Sequence, residues 1–137
     1  MKSYTDLEQS KKLAEFLPIE SADMEYLAIK ENGKLVGGVP FVKDDSEVEN
    51  SAYSHTYDRI ACWSLAALLQ VLPLGIYDKF DSNDYELEIN MIDKMPRYIR
   101  LGDIYHSQFP YDFEKDTLLD NIVESIIWLN NNNYFEL

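Results

Sequence analysis

The sequence predicts an α+β fold in which three helices pack on a mostly antiparallel sheet of about four strands. Three observations favour this class. Apolar residues recur at helical spacing in three segments, and they alternate with polar residues in stretches between these segments. The resulting order, α-ββ-α-ββ-α, groups hairpins between helices, as α+β proteins do. With 137 residues, the chain is expected to form a single globular domain spanning residues 1–137.

The first helix is predicted over residues 5–16. Thr5 and Glu8 have the spacing of a capping box, in which each side chain bonds to the backbone of the other residue. Pro18 ends the helix, because a proline disfavours helical geometry in the residue before it. The expected apolar stripe consists of Leu7, Ala14 and Leu17, with Leu13 beside it.

A β-hairpin is predicted over residues 24–42. Asn32 and Gly33 would supply the two left-handed residues of a type I′ turn. Gly37 and Gly38 interrupt the returning strand, which indicates either a bulge or the close approach of another backbone. Pro40 favours an edge position for that strand. Residues 43–58 then form an acidic loop.

A central core helix is predicted from Cys62 to Pro73. After Ser64 the only polar residue is Gln70, and a helix apolar on nearly every side is a buried one. The run is too short to cross a bilayer. The helix is expected to be the common partner of the other elements through the stripe of Leu65, Leu68, Leu69 and Leu72.

The second half predicts another hairpin and a last helix. Residues 85–91 alternate apolar and polar, which is typical of a strand with one buried face, and residues 97–105 return after a turn. Residues 74–83 and 106–115 are expected to be connections. Asp116 caps a helix over residues 117–130. Its expected apolar stripe is Leu119, Ile122, Val123, Ile126 and Ile127, while Asp120, Asn121, Glu124 and Ser125 are expected to face water.

The composition restricts the partners. The formal net charge of −13 repels nucleic-acid phosphates and anionic membranes, so direct binding to either is not expected, whereas a basic protein would be attracted. The simpler explanation of this charge is that it keeps the protein soluble. The more specific explanation is that the surface imitates the charge of DNA and occupies the site of a basic protein. The single cysteine excludes an internal disulfide, and the N-terminus lacks the apolar run of a signal peptide. We therefore expect a cytoplasmic protein.

Cys62 is the strongest candidate for chemistry. At the start of a helix its thiolate would be stabilised by the helix dipole, and a cysteine hydrolase would use His55 or His106 as the base. Both histidines fall in predicted loops, and no local signature of a catalytic cysteine surrounds Cys62. The alternative is a buried cysteine that acts as a small hydrophobic side chain, and no catalytic residue is assigned.

No metal or cofactor is expected. The acidic segments at 44–49 and 81–85 fail the ligand spacing of an EF-hand, and the spacings typical of zinc sites are absent. Glycine-rich phosphate loops are absent as well. Trp63 and Trp128 occupy helical positions where core packing is the default, and either one becomes an interface candidate if it is exposed.

Two segments carry a resemblance. The strings Tyr4–Pro18 and Cys62–Leu69, the latter followed by Leu72-Pro73, resemble a family of small uncharacterised proteins found in gut-bacterial genomes, often in prophages and other mobile elements. The resemblance implies that genomic setting and no chemistry.

Three functional hypotheses follow from the sequence. The favoured one is a non-enzymatic interaction or accessory module that binds another protein, with self-association compatible with it. The alternatives are an acidic nucleic-acid mimic that blocks a DNA-binding protein, and a cysteine hydrolase that uses Cys62.

Overall fold

The computed structural model describes residues 1–43, 56–100, 108–109 and 115–135. The described chain contains the helices α1 (Leu7–Ala14), α2 (Leu65–Val71) and α3 (Leu118–Asn131), with a 3₁₀ turn at Ile19–Ser21. Its strands are β1 (Met24–Ile29), β2 (Phe41–Val42), β3 (Tyr57–Cys62), β4 (Gly75–Asp78), β5 (Asn83–Asn90), β6 (Met95–Arg100) and β7 (Gln108–Phe109).

The α+β class and the three helices are confirmed, but the single sheet of about four strands is wrong. The described strands form two antiparallel sheets, one with the order β2-β1-β3 and one with the order β4-β5-β6-β7. The chain also divides into two compact units. Residues 4–67 form the N-terminal unit, and residues 68–137 together with residues 1–3 form the C-terminal unit.

In the N-terminal unit, α1 is shorter than the sequence predicts, and its N-cap lies one residue later. Asp6 is the N-cap, and its carboxylate accepts from the backbone N–H of Gln9 at 2.8 Å while the Gln9 side chain accepts from the Asp6 N–H at 3.1 Å. A capping box is therefore present, although its partners are not Thr5 and Glu8. Thr5 is fully buried instead, and the buried face of α1 consists of Ser10 and Leu13.

The first hairpin exists, but its turn differs from the predicted type. Gly33 has a φ of +69°, and Asn32 is not among the residues with positive φ, so the turn is not type I′. The four-residue loop is closed by a bond from the Ile29 N–H to the Lys34 carbonyl at 2.9 Å. The short strand β2 lies at the edge of the sheet, as Pro40 indicated.

Gly37 and Gly38 lie in a bulge on the returning side of this hairpin. Ala28 pairs with Leu35, and Glu25 pairs with Phe41, so five residues on the returning side face two residues of β1. Both glycines have positive φ, of +91° and +74°, a conformation that glycine adopts without steric strain and that bulges often require. The bulge is thus the correct alternative of the two that the sequence left open.

The predicted helix from Cys62 to Pro73 is shorter than expected. Cys62 is the last residue of β3, where it pairs with Met24, and α2 covers seven residues. The Ser64 hydroxyl caps α2 by accepting from the Ala67 N–H at 3.1 Å. Leu68 and Leu72 are buried, whereas Ala66 and Gln70 are exposed, so α2 is amphipathic rather than apolar on all sides.

In the C-terminal unit, β5 covers most of the predicted strand, and the alternation holds from residue 85 to residue 89, whereas Met91 is 62% exposed in the turn after β5. Tyr85 is buried, and Glu86 and Glu88 on the opposite face are exposed. β5 pairs with β6 after a turn at residues 91–94, and it also pairs with β4, which lies in a segment expected to be a connection. α3 packs against β6.

The last helix carries two buried polar residues that the sequence places in water. Asn121 is 1% exposed, and Ser125 is fully buried. The Asn121 amide donates to the carbonyls of Lys94 at 2.7 Å and Lys115 at 3.2 Å, and its oxygen accepts from the Lys115 N–H at 3.2 Å. These bonds compensate for the burial and tie two backbone segments to α3.

The asparagine run ends α3 as predicted. Asn133 has a φ of +60°, which is the left-handed conformation of a helix C-cap. The Tyr134 N–H donates to the Leu129 carbonyl at 2.9 Å and the Asn133 N–H to that of Asn130 at 3.2 Å, which together form a Schellman motif. Tyr134 then stacks on Trp128 with ring centroids 5.5 Å apart.

Within the described part of the chain, no helix is long and apolar enough to cross a membrane.

Candidate functional site

The turn between β4 and β5 presents an exposed aromatic side chain. We call residues 78–83 the Phe80 turn, since the Phe80 side chain at its tip is 98% exposed. A fully buried phenylalanine side chain is worth roughly 1.5–3 kcal/mol relative to an exposed one, so this placement forgoes that stabilisation. Aromatic side chains, including phenylalanine, are enriched in the buried cores of protein interfaces.

Hydrogen bonds hold the Phe80 turn in one shape. The Asp78 carboxylate accepts from the Phe80 N–H at 2.9 Å, and the Asp81 carboxylate accepts from the Asn83 N–H at 3.0 Å and from the Tyr85 hydroxyl. Ser82 adopts a left-handed φ of +57°. Because the backbone is fixed by these contacts, a partner that covers Phe80 would order little additional chain.

A groove of about 640 Å³ lies beside this turn, between β4 and the end of α3. We call it the tyrosine groove. A smaller hollow of about 250 Å³ shares Tyr77, Lys79, Asn133 and Tyr134 with it and also includes Phe80. Tyr77, half of whose surface is exposed at 51%, forms part of the wall. The lining consists of Val71, Pro73, Gly75, Ile76, Tyr77, Lys79, Asn133, Tyr134 and Phe135.

The charge around this surface is mainly negative. Asp78 lines the smaller hollow, Asp81 belongs to the turn, and Asp84 on β5 pairs opposite Tyr77. The end of α3 adds the negative end of a helix dipole. Burial, followed by the nearby Asp78 carboxylate, raises the pKa of Tyr134, whereas the hydrogen bond from Tyr85 lowers the pKa of Asp81. The lowered pKa favours the charged form of Asp81 at neutral pH, and the raised pKa favours the neutral form of Tyr134.

This arrangement is suited to binding a basic segment. Lysine or arginine side chains are attracted to the faces of tyrosine rings and to carboxylates, and both lie here within one surface. The volume of the tyrosine groove falls within the range of ligand sites. Among the residues that line the two cavities, Lys79 is the one basic side chain that the structure describes.

Cys62, the candidate nucleophile, is a buried side chain of the N-terminal unit. It lies at the end of β3, not at a helix N-terminus, and it is fully buried. Its thiol donates to the Thr5 carbonyl at 3.4 Å, and the Thr5 hydroxyl contacts the sulfur at 3.5 Å. Burial raises the pKa of Cys62, so the thiol form is favoured at neutral pH. His55 and His106 lie outside the described residues.

The buried hydroxyls around Cys62 form a network of hydrogen bonds. The Thr5 hydroxyl bonds to Ser10 at 2.7 Å and accepts from the Trp63 N–H at 3.1 Å, while the Tyr26 hydroxyl donates to the Thr5 carbonyl at 2.6 Å. In the described chain every buried side-chain nitrogen and oxygen has a partner. These contacts attach the segment before α1 to β1 and β3 within the N-terminal unit, and they explain why Thr5 is buried.

The two tryptophans differ in exposure. Trp63 is fully buried, and its indole N–H donates to the Ser21 hydroxyl at 2.9 Å. Trp128 is half-buried and stacks on Tyr134, which lines the tyrosine groove. Trp128 therefore supports the candidate surface from behind, through Tyr134.

No group of three or more histidine, cysteine, aspartate or glutamate side chains is placed to hold a metal ion in the ranges that the structure describes. The acidic loop at 44–49 lies outside these ranges. In residues 81–85, by contrast, the Asp81 carboxylate accepts hydrogen bonds that stabilise the turn.

Sequence reasoning missed the Phe80 turn because it treated residues 74–83 as a connection. A signal was present: Phe80 is the one aromatic residue in the polar run Asp78–Asp84, where no alternation offers it a buried face.

In comparisons with known proteins, no family model, curated protein or solved structure matches the chain.

Proposed function

We propose that this protein is a non-enzymatic interaction module that binds another protein through the Phe80 turn and the tyrosine groove. The single observation that carries the proposal is Phe80, which is 98% exposed at the tip of a hydrogen-bonded turn beside a groove of about 640 Å³. An aromatic side chain on an ordered turn, next to a concave surface, has the anatomy of an interface hot spot.

The expected partner presents a basic segment with at least one apolar side chain. Phe80 and Tyr77 would supply the apolar contact, and Asp78, Asp81 and Asp84 would face lysine or arginine side chains. Paired charges of this kind contribute more to the rate and specificity of association than to affinity. Binding is therefore expected to weaken as the salt concentration rises.

The same proposal includes the genomic and cellular setting of the protein. From the segments Tyr4–Pro18 and Cys62–Leu69, we propose an accessory protein of a mobile element that acts in the cytoplasm. The proposal assigns no substrate, cofactor or metal to the protein.

The experiment is quantitative affinity capture from the native cells with three matched baits. The baits are the wild type, Phe80→Ala and Ile92→Ala. Ile92 is 94% exposed in the turn between β5 and β6, so its variant controls for the loss of an exposed apolar side chain outside the candidate surface. We expect one protein to be retained by the wild type and by Ile92→Ala, and to fall by about tenfold or more with Phe80→Ala.

Equal recovery with all three baits would contradict the proposed surface. Loss with Ile92→Ala as well would indicate adhesion through any exposed apolar side chain. Both substituted residues are almost wholly exposed, so each variant is expected to fold with a stability within about 0.5 kcal/mol of the wild type.

One observation favours a second candidate, the acidic nucleic-acid mimic. Asp84, Glu86 and Glu88 are all exposed on one face of β5, and alternate residues of a strand repeat at about 6.8 Å. They form a row of carboxylates along an ordered strand, as a mimic of phosphates would need. Arg97 pairs opposite Glu88 and interrupts the row on one side.

The two candidate functions are distinguished by which variant fails to capture the partner. If the protein is a mimic, the captured protein binds DNA, free DNA displaces it, and a Glu86→Gln/Glu88→Gln variant loses it while Phe80→Ala retains it. The interaction module predicts the reverse dependence on these variants.

A further inference from the structure

A second groove lies within the N-terminal unit and has the opposite charge. It has a volume of about 300 Å³ and lies between α1 and β3. Trp63, Leu17 and Ala61 are buried side chains of its lining, and Ile19 is an exposed one. The remaining lining residues are Lys11, Ala14, Arg59 and Ile60. We call it the basic groove.

Three cations lie at the basic groove. Lys11 and Arg59 line it, and the Lys43 ammonium donates to the carbonyl of Ile19 at 3.0 Å. The Arg59 guanidinium makes a two-pronged ion pair with Glu25, which is almost fully buried and partly offsets this charge. Among the residues that the structure describes, the lining of this groove therefore includes basic and no acidic side chains, although the protein has a net charge of −13.

We propose that the basic groove binds the Phe80 turn of a second copy of this chain, so that self-association covers the partner surface. This inference rests on the proposed function, because it regulates the surface assigned there. Phe80 would enter the apolar groove, and Asp78 and Asp81 on either side of it would face Lys11 and Lys43 of the other copy.

Size and charge both favour this occupant. A cavity of about 150 Å³ accommodates a benzene ring, so a groove of about 300 Å³ has room for the phenylalanine ring. The turn is acidic and has an exposed apolar tip, whereas the groove is basic and has an apolar lining. Opposite potentials on the two surfaces would align them before contact.

The contact joins two different surfaces, so it is heterologous. Each copy keeps one unused turn and one unused groove, and the contact can therefore extend to further copies unless a ring closes. One aromatic side chain and its neighbours bury far less than the roughly 1,200–2,000 Å² of a stable interface. Self-association is therefore weak and depends on concentration, and a partner with a larger contact area displaces it.

The test uses two single variants that damage opposite halves of the contact. Phe80→Ala removes the entering side chain but keeps the basic groove, and Lys11→Glu damages the groove but keeps the turn. Ile92→Ala and Lys12→Glu are the matched controls, because Lys12 is an exposed neighbour on α1 that does not line the groove. Sedimentation equilibrium of each protein up to its highest soluble concentration gives the association constant.

We expect the wild type and both controls to self-associate, and both Phe80→Ala and Lys11→Glu to weaken association by about tenfold or more. Mixing the two defective variants should restore one contact, because each supplies the half that the other lacks. With ¹⁵N-labelled Phe80→Ala and unlabelled Lys11→Glu, amide shifts should change at Ala14, Ile60 and Ala61.

A wild type that is monomeric at every concentration would overturn this inference, and so would a mixture that leaves those amide signals unchanged. Failure of the proposed function is distinguishable from both results. If the wild type is monomeric while Phe80-dependent capture of a partner persists, self-docking alone is wrong. If self-association is found but no partner depends on Phe80, the proposed function alone is wrong.

Discussion

Replacing Asn121 with alanine should destabilise the C-terminal unit far more than the same change at Asn131 on the same helix. Asn121 is 1% exposed and makes three hydrogen bonds to the backbone of Lys94 and Lys115. Each such bond contributes a net ~0.5–1.5 kcal/mol, and the higher helix propensity of alanine returns about 0.5 kcal/mol. The expected loss is therefore roughly 1–4 kcal/mol.

Asn131 is the matched control for this substitution. It is exposed in the last turn of α3, so Asn131→Ala removes the same amide with the same change in helix propensity and is expected to alter stability by less than about 0.5 kcal/mol. The assay is urea unfolding followed by far-ultraviolet circular dichroism, with the dependence of the unfolding free energy on urea checked for constancy. Equal stabilities of the two variants would show that the contacts of Asn121 do not carry the stability assigned to them.

Three further predictions concern other contacts. Arg59→Met should cost about 1–3 kcal/mol of unfolding free energy, because it leaves the buried Glu25 carboxylate without its hydrogen-bonded ion pair. Adding Glu25→Gln should recover part of that loss in a double-mutant cycle, and additive losses would contradict the pairing. Cys62 should react with a thiol reagent at neutral pH only after denaturation, since burial raises its pKa. Rapid labelling of the folded protein would contradict this prediction and would favour the hydrolase hypothesis. Because the pKa of Asp81 is lowered on folding, its carboxylate contributes stability at a pH above the unfolded pKa of about 3.9, and this stability is lost as the pH falls through the folded pKa. Asp81→Asn should therefore lose less stability on acidification than the wild type. Parallel plots of unfolding free energy against pH would contradict this.

Much of the fold follows from local patterns. Three such patterns are present in the structure: the alternation of residues 85–89, the apolar stripe of the last helix and the left-handed Asn133. Each depends on a physical preference that acts over a few residues. The edge position of β2 belongs to the same group, because proline lacks the N–H that a central strand must donate.

Features that depend on distant partners could not be predicted in this way. Asn121 looks like a surface residue until the backbones of Lys94 and Lys115 approach it, and the sequence does not encode that approach locally. Similarly, the apolar run that contains Cys62 and Leu68 fits either a buried strand or a helix, and pairing with Met24 makes its beginning a strand. The division into two sheets depends on pairings of this kind.

The candidate site was missed for a related reason. Phe80 lies among turn-forming residues, and β4 has only four residues, too few to show an alternation. Exposure of an aromatic side chain is a property of the folded surface, so it becomes visible only with the structure. The basic character of the partner was inferred from the net charge, and it stays a prediction.

The most direct test of the central proposal is site-specific photocrosslinking from the Phe80 turn in the native cells. A photoreactive phenylalanine derivative replaces Phe80 in one protein and Ile92 in another, so that both probes are almost fully exposed on hairpin turns of the same sheet. We predict that position 80 yields one discrete crosslinked protein with a basic segment at the crosslinked site, and that position 92 does not yield it. The same products from both positions, or none from position 80, would contradict the proposal that this surface binds the partner.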